Sequence, residues 1–305
     1  MAIKMVERDC PICGNRDQSL VFAEANFNLG QLDEFAFASR KLPEYMHHRL
    51  VECPECGVLY ASPMLPPKKI AAAYAGAAFG SQEEAGYAAR TYGGFLPKIA
   101  GKLPDREGAL DIGTGDGAFL EELLRHGFTK VRGIEPSQAP VKAAKEEIRP
   151  LIKNGLFNPR DCRLNSLSLV TSFQTFEHLV DPMETAREVY KILKPGGAFF
   201  IISHNRDALS AKVLGKKSPI FDIEHLQLFS FKSAKAMMEK AGLSGVSARV
   251  VWNIYPIQYW LKLLPVPFKA RILDWLKKTG IGKWPVPLPA GNMAVIGFKP
   301  TTKAN

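Results

Sequence analysis

The chain has 305 residues, enough for about two domains, and its 46% hydrophobic and 23% charged residues are ordinary for a globular protein. No run of about 18 apolar residues is present, which excludes a spanning helix, and the first residues lack the apolar core of a secretion signal, so we expect a cytoplasmic protein. The net charge of +10 comes from residues 211–305, which hold 15 Lys/Arg against 4 Asp/Glu. This asymmetry indicates an anionic partner, although a solvated basic face would look the same.

Four of the five cysteines form two C-x-x-C pairs, and each pair is followed by glycine. This pattern is typical of zinc knuckles, in which two thiolates lie on a tight turn and the glycine lets the backbone turn around the metal. Two knuckles would supply a closed, structural Zn²⁺ site, each on its own hairpin. Disulfides are the alternative, but no secretion signal favours them. The predicted metal ligands are Cys10, Cys13, Cys53 and Cys56.

The first third of the chain divides into a small module and a helical connector. Residues 1–67 are predicted to form a zinc-ribbon-like domain whose core is too small to fold without metal. Residues 68–100 are predicted to be a connector or lid with two helices, one over 70–78 and one over 83–99. The remaining residues, 101–305, then form the main domain.

The main domain opens with a glycine-rich turn between a strand and a helix. Asp111 ends the strand, the helix covers 118–126, and Glu135 ends a second strand over 131–134. Such a βαβ unit binds a nucleoside cofactor, with the second acid on the ribose, and the glycines fit an NAD site as well. Asp111 favours S-adenosylmethionine (SAM), because a carboxylate attracts an ammonium and a sulfonium but repels a pyrophosphate.

The rest of the domain continues as alternating strands and helices. The predicted strands cover residues 151–153, 167–173, 198–203, 246–252 and 293–298, and the predicted helices cover 183–193 and 231–241.

At this point the sequence resembles the class I SAM-dependent methyltransferases over roughly residues 90–250. The resemblance rests on LDIGTGDGAFL at residue 110, GIEPS at 133, FEHLVDP at 176 and LKPGG at 193. With the knuckles, it is similar to a subgroup that has an N-terminal zinc-binding domain and methylates sugars, often nucleotide-linked ones. It implies an α/β, Rossmann-like, seven-stranded domain, here with an insertion at 253–290.

The resemblance also implies a set of cofactor contacts. The acid and the glycines of the turn would lie beneath the methionine part of SAM, the second acid would bind the ribose, and later residues would reach the adenine and the reactive methyl. The predicted cofactor-binding residues are Asp111, Gly113, Gly115, Gly117, Glu135, Pro136, Asn158 and Gln174.

The segment E-H-x-x-x-F-S resembles one that places a Glu–His pair at the sugar in zinc-containing C-methyltransferases. His225 is the predicted general base, and Glu224 is predicted to orient its ring or bind an acceptor hydroxyl. Those enzymes often have Tyr where this chain has Asp222, so O- and C-methylation are equally open. His225 could instead pack beneath the following helix. His178 is predicted to support the cofactor loop, with a direct catalytic role as the alternative.

The insertion is basic and rich in tryptophan. Phe268, Ile272, Trp275 and Leu276 fall on one helical face among lysines and arginines, which indicates peripheral contact with the inner face of an anionic membrane through residues 255–278. A helical hairpin packed on the sheet or on a second subunit, in a homo-oligomer, would show the same pattern.

We therefore expect methyl transfer to a small-molecule acceptor, a phosphorylated compound or a sugar. An RNA- or DNA-modifying methyltransferase is the alternative, since a zinc module and a basic segment can bind nucleic acid. It is disfavoured because the zinc module is not basic and the fourth strand ends in Ser-Phe-Gln-Thr, not in an N/D-P-P-Y/F box. A non-catalytic interaction protein is disfavoured by the intact glycine loop.

Overall fold

The structure is a computed structural model that describes residues 4–27, 45–77, 79–80, 82–263 and 269–301. Within these ranges the strands are β1 (Val21–Ala23), β2 (Leu50–Glu52), β3 (Leu59–Ala61), β4 (Glu107–Ile112), β5 (Thr129–Glu135), β6 (Ile152–Asn154), β7 (Leu167–Phe173), β8 (Leu193–His204), β9 (Gln227–Leu228), β10 (Ser244–Val250), β11 (Asn253–Pro256), β12 (Pro285–Leu288) and β13 (Asn292–Phe298).

The α-helices alternate with these strands. They are α1 (Pro67–Gly76), α2 (Gln82–Gly93), α3 (Leu96–Ala100), α4 (Ala118–Arg125), α5 (Gln138–Ala143), α6 (Pro182–Ile192), α7 (Leu209–Leu214), α8 (Phe231–Lys240), α9 (Ile257–Leu263) and α10 (Lys269–Thr279).

Seven strands form the central sheet in the order β10-β13-β8-β7-β4-β5-β6. Strands β4 to β8 pair in parallel, and β13 runs antiparallel to both of its neighbours. The central strands β7 and β8 are buried along most of their length, as expected for a parallel sheet covered on both faces by helices. The predicted Rossmann-like, seven-stranded fold is confirmed.

A second sheet joins the N-terminal module to the main domain. Its order is β1-β2-β3-β9, so the last strand comes from the C-terminal half of the chain. Val51 and Tyr60 of the module pack in one buried cluster with Phe176 and Phe229 of the main domain. Residues 4–27 and 45–67 therefore share both a sheet and a core with the main domain.

The knuckles differ from the prediction in one respect. The second knuckle, Cys53–Cys56, forms the turn of the β2–β3 hairpin, as expected. The first knuckle lies instead in a loop before β1, and the isolated bridge between Val6 and Met64 fixes the start of that loop. The expectation that each knuckle has its own hairpin is therefore wrong for the first.

Two further expectations are corrected. The helix predicted over 83–99 is interrupted at Gly93–Gly94, where α2 ends before α3, because two glycines weaken a helix and Pro97 suits the first turn of a new one. The insertion contains a two-stranded ribbon, β11 with β12, in which Pro256 faces Pro285. Proline is tolerated on such edge strands because they leave amide positions unpaired.

The insertion leaves and rejoins the sheet at the edge where the parallel strands end. Asn292, the first residue of β13, is opposite His204, the last residue of β8, and Val250 at the end of β10 is opposite Met293. In open α/β sheets ligands bind at this carboxyl edge. No helix within the described ranges has the length and hydropathy needed to cross a bilayer.

Candidate active site and metal centre

The four predicted metal ligands lie together. The Sγ atoms of Cys10, Cys13, Cys53 and Cys56 are all within 4.8 Å of one another. Each knuckle has the same backbone: the amide of Gly14 or Gly57 donates to the carbonyl of the first cysteine of its pair over 2.9 Å, and both glycines have a φ near +72°. The left-handed conformation of each turn explains the glycine that follows each pair.

The sulfur distances fit a tetrahedral cation. The Cys10–Cys56 Sγ pair is 3.5 Å apart and the Cys13–Cys53 pair is 3.4 Å apart. Four sulfurs at the Zn–S distance of about 2.3 Å would be about 3.8 Å apart, whereas a disulfide needs about 2.05 Å. The pKa of the Cys10 thiol is raised, first by the hydrogen bond with Cys56 and then by burial. The set therefore fits a metal that stabilises thiolates.

The glycine turn after β4 has the geometry of a cofactor cradle. Gly113, Gly115 and Gly117 have φ values of +78°, +60° and +77°. A Cβ on Gly113 would collide with Thr175, whereas a Cβ on Gly115 would meet nothing within 4 Å. Gly115 therefore borders open space, as expected where a ligand approaches the backbone.

Two buried carboxylates flank this turn. Asp111 accepts a hydrogen bond of 2.6 Å from the Thr171 hydroxyl, and burial raises its pKa to about 6. Glu135 accepts from the amides of Gly115, over 2.9 Å, and Ser137, over 2.8 Å, and burial raises its pKa as well. A cation or hydroxyl pair placed here would restore the lost solvation of these groups.

On the adenine side of the predicted cofactor site, two asparagines have different surroundings. Asn158 is exposed, and its side chain accepts from the Arg160 amide and begins a short 3-10 helix, which accounts for it without a ligand. Asn154, at the end of β6, lies closer to the predicted ribose acid. Its side chain donates to the carbonyl oxygens of Glu135, over 2.9 Å, and Pro136, over 3.2 Å.

Gln174 directly follows β7 and is strained. Its φ is +49°, and both polar atoms of its buried side-chain amide have no hydrogen-bond partner in the described part of the chain. Strain and an unpaired buried amide both cost free energy, so their combination at the carboxyl edge indicates a place that a ligand completes.

Three histidines meet beside Gln174. The ring centroid of His225 is 5.0 Å from that of His178 and 5.1 Å from that of His204. Burial lowers the pKa of His178, and burial together with the neighbouring His178 lowers the pKa of His204 to about 4. Both rings are therefore neutral at pH 7.

A backbone carbonyl fixes the tautomer of His225. Its Nδ1 is 2.7 Å from the carbonyl oxygen of Ile220, which can only accept, so Nδ1 carries a proton and, in the neutral ring, Nε2 carries the lone pair. The Ile220 carbonyl therefore helps to orient the ring, which is one of the two roles predicted for Glu224. The Glu224 carboxylate lies 3.8 Å from Nδ1 of His178, and the Tyr74 hydroxyl lies 2.8 Å from the same atom.

The same cluster offers a second set of metal donors. Glu177, His178 and His225 each place one ligand atom within 4.8 Å of the others. Glu177 is fully buried, and burial raises its pKa. Three donors of this kind are the number found in catalytic zinc sites.

A sequence profile described as "Methyltransferase domain" matches residues 85–248, just over half of the 305 residues. The chain belongs to the methyltransferase-domain family. The matched range contains the glycine turn, both flanking carboxylates, Gln174 and all three histidines of the cluster.

Curated relatives of this chain are similar over a limited range. A ubiquinone biosynthesis O-methyltransferase from Caulobacter vibrioides is 31% identical over 128 residues, which cover 37% of this chain and 50% of the relative. The protein of the same name from Pseudomonas entomophila is 30% identical over 107 residues, covering 32% and 44%. The chain thus spans about half the length of the curated relatives it matches.

Solved structures with a similar outline are more distant. A SAM-dependent methyltransferase from Archaeoglobus fulgidus has a TM-score of 0.47 at 17% identity and covers 69% of this chain and 94% of its own. Phosphoethanolamine N-methyltransferase 2 from Haemonchus contortus has a TM-score of 0.44 at 16% identity, covering 69% and 53%.

The structure adds residues that the sequence left without a role. Tyr74 reaches the site from α1 in the connector, which no motif indicated. Glu177 adjoins a predicted site residue, and its position at the carboxyl edge could have indicated it.

Proposed function

We propose that this protein transfers a methyl group from SAM to a sugar, at a hydroxyl oxygen or a neighbouring carbon, with His225 as the general base. The observation that carries the proposal is the buried histidine cluster, in which the Ile220 carbonyl holds Nδ1 of His225 and so leaves Nε2 as the basic atom of the neutral ring. SAM, when bound, supplies an electrophilic methyl on its sulfonium.

The residues around the glycine turn would hold this cofactor. Asp111 would attract the ammonium of the cofactor, and Glu135 would accept hydrogen bonds from its ribose hydroxyls. The open space beside Gly115 would let the cofactor approach the protein backbone closely. Gln174 would gain the hydrogen-bond partners that its amide lacks in the described structure. These fits support SAM independently of the sequence motif.

The second half of the site would bind and deprotonate the acceptor. His225 would take a proton at Nε2, while the Ile220 carbonyl holds the Nδ1 proton and stabilises the cationic ring. Tyr74, His178 and Glu224 offer several polar groups on one side, which suits an acceptor with several hydroxyls. The O-methyltransferase name of the curated relatives supports oxygen as the methylated atom.

We further propose that the four cysteines hold one structural Zn²⁺, since a site with four protein ligands leaves no open position for catalysis. The cytoplasmic location and membrane contact through residues 255–278 stay predictions. Exposure of Trp275 supports that contact.

The test is methyl transfer from labelled SAM to a panel of nucleotide sugars, lipid-linked glycans and RNA, with products resolved by mass. For the acceptor found, His225→Ala should lower kcat about 10²–10⁴-fold and leave SAM affinity within about twofold. His126→Ala is the matched control, because His126 ends α4 outside the cluster. Full turnover by His225→Ala would overturn the assigned base.

A further inference from the structure

Helix α7 exposes an apolar face beside the candidate active site. Leu209 is 78% exposed and Val213 is 75% exposed, and they are four positions apart, so they lie on one face of the helix. Ala211 is buried on the other side. Lys212, in the same helix, and Lys217, three residues after its end, are exposed.

Helix α10 repeats the pattern in the insertion. Leu276 is buried against the protein, whereas Trp275 is 55% exposed and Ile272 is exposed too. At 100° per residue, Trp275 and Ile272 form one arc, and Arg271 and Lys278 border the tryptophan. Leu276 shares this face, about 40° from Ile272 on the helix, but it lies at the buried border of the arc, and Phe268 lies outside the described residues.

Both helices belong to the same edge of the molecule. α7 follows β8, and the insertion leaves the sheet at the same edge. Two contacts join them: the Asn205 amide donates to the Gly291 carbonyl over 2.8 Å, and a Cβ on Gly291 would lie 3.0 Å from the Ser210 hydroxyl. We call the exposed apolar side chains of this edge the apolar rim. They are Leu209, Val213, Trp252, Ile254, Ile272, Trp275, Trp284 and Leu288.

We propose that the apolar rim docks the protein on an anionic lipid bilayer, with the candidate active site facing the membrane. Surfaces that bind in the interface of an anionic bilayer combine these residue types: tryptophan and aliphatic side chains insert at the boundary between headgroups and acyl chains, and lysines and arginines contact the headgroups. The charge is complementary: of the four acids in residues 211–305, Asp222 and Glu224 belong to the acceptor site, and Asp274 pairs with Lys278 over 2.8 Å.

Other occupants fit this surface less well. Nucleic acid would account for the lysines, but it gains little from aliphatic side chains as exposed as Leu209 and Val213. A second copy of the chain would bring two basic surfaces into contact, which like charges oppose. The docking does not depend on the proposed methyl transfer.

The test is flotation of the full chain with vesicles of phosphatidylcholine alone or mixed with phosphatidylglycerol. The wild type should float with the anionic vesicles only, and increasing salt should weaken this binding. Replacing Leu209 and Val213 together by serine should lower the partition coefficient at least about tenfold, and Lys212→Gln should lower it about fivefold.

Leu164→Ser is the matched control, because Leu164 is 68% exposed and precedes β7 at the opposite edge of the sheet. It should float like the wild type. All variants should keep SAM binding and thermal stability, which separates failed docking from a failed fold or a wrong cofactor. Absence of wild-type binding to anionic vesicles, or equal loss in the Leu164 control, would overturn the proposal. RNA binding or rim-dependent dimerisation without vesicle binding would also overturn it.

Discussion

Substitution of a metal-site cysteine should destabilise the candidate active site, because the second sheet joins the two. Cys53→Ser removes one of four thiolates, so we expect the protein to lose its zinc and the module to lose several kcal/mol of stability. The module pairs with β9, which begins two residues after His225. Loss of the proposed metal should therefore loosen the segment that carries His225, the proposed general base.

The strength of this coupling follows from the hydrogen bonds that join the two parts. The Ala61 amide donates to the Leu226 carbonyl over 2.9 Å, and the Arg8 guanidinium donates to the same oxygen over 3.1 Å. Arg8 also donates to Oε1 of Gln227 over 2.8 Å. At about 1 kcal/mol for a neutral bond and somewhat more for a charged donor, these three bonds contribute about 3–5 kcal/mol. That corresponds to a change of about 10²–10⁴-fold in the equilibrium constant for local opening.

Hydrogen exchange measures this opening without any acceptor. In Cys53→Ser, the Leu226 amide, which donates to the Glu177 carbonyl over 2.8 Å, should lose about 10²-fold or more of its protection. Peptides over residues 109–117 should exchange as in the wild type, and SAM affinity should change less than about twofold. Metal analysis should fall from about one zinc per chain to almost none.

Cys162→Ser is the control, since Cys162 lies outside the cysteine cluster and should leave zinc and exchange unchanged. Full zinc content in Cys53→Ser would refute the proposed site. Loss of zinc with normal protection at Leu226 would refute the coupling. In the wild type, a zinc content near two per chain would show that Glu177, His178 and His225 also bind metal.

Three other predictions concern single buried groups. Asp111→Asn and Glu135→Gln should each weaken SAM binding by about 1–3 kcal/mol in calorimetry, because each removes a charged partner; unchanged affinity would contradict the assignment. Gln174→Met should raise the free energy of unfolding without ligand by about 1 kcal/mol, because it removes an unpaired buried amide; denaturant titration showing a loss would mean that the amide has partners. The pKa of His204 is lowered from its ordinary value of 6.5 to about 4 in the folded protein. Between these two pH values the unfolded chain binds a proton that the folded chain does not, so the free energy of unfolding falls as the pH falls. From pH 7 to pH 5 it should fall by about 2 kcal/mol more in the wild type than in His204→Asn. Comparing the two proteins cancels the opposite contributions of carboxylates such as Glu177, which both proteins contain.

Local signals predicted most of the sheet and the cofactor side of the site. The glycine turn needs positive φ at Gly113, Gly115 and Gly117, and only the residue type can report that need in a sequence. Apolar runs marked the buried strands, and β7 covers the predicted residues 167–173. These features depend on residues close in the chain, so a single sequence carries them.

The acceptor side depends on contacts between distant residues, which periodicity does not report. Tyr74 meets His178 across 104 positions, and Ala61 binds Leu226 across more than 160. The orientation of His225 by the Ile220 carbonyl follows from a loop conformation without a residue-type signature. The pairing of β11 with β12 could not be predicted, because prolines argue against a strand unless it is known to lie at the edge of a sheet.

The segment from Asp222 to Ser230 links the cysteine-containing module to the methyltransferase domain. β9 extends the module's sheet, the Arg206 amide donates to the Phe229 carbonyl, and Ser230 forms a capping box at the start of α8. The loop that carries His225 is thus fixed at its C-terminal end by a sheet, a strand end and a helix. A general base must be held within a fraction of an ångström to act, and a loop alone rarely provides this. The metal would then serve catalysis by holding β3 in place, although it lies outside the acceptor site.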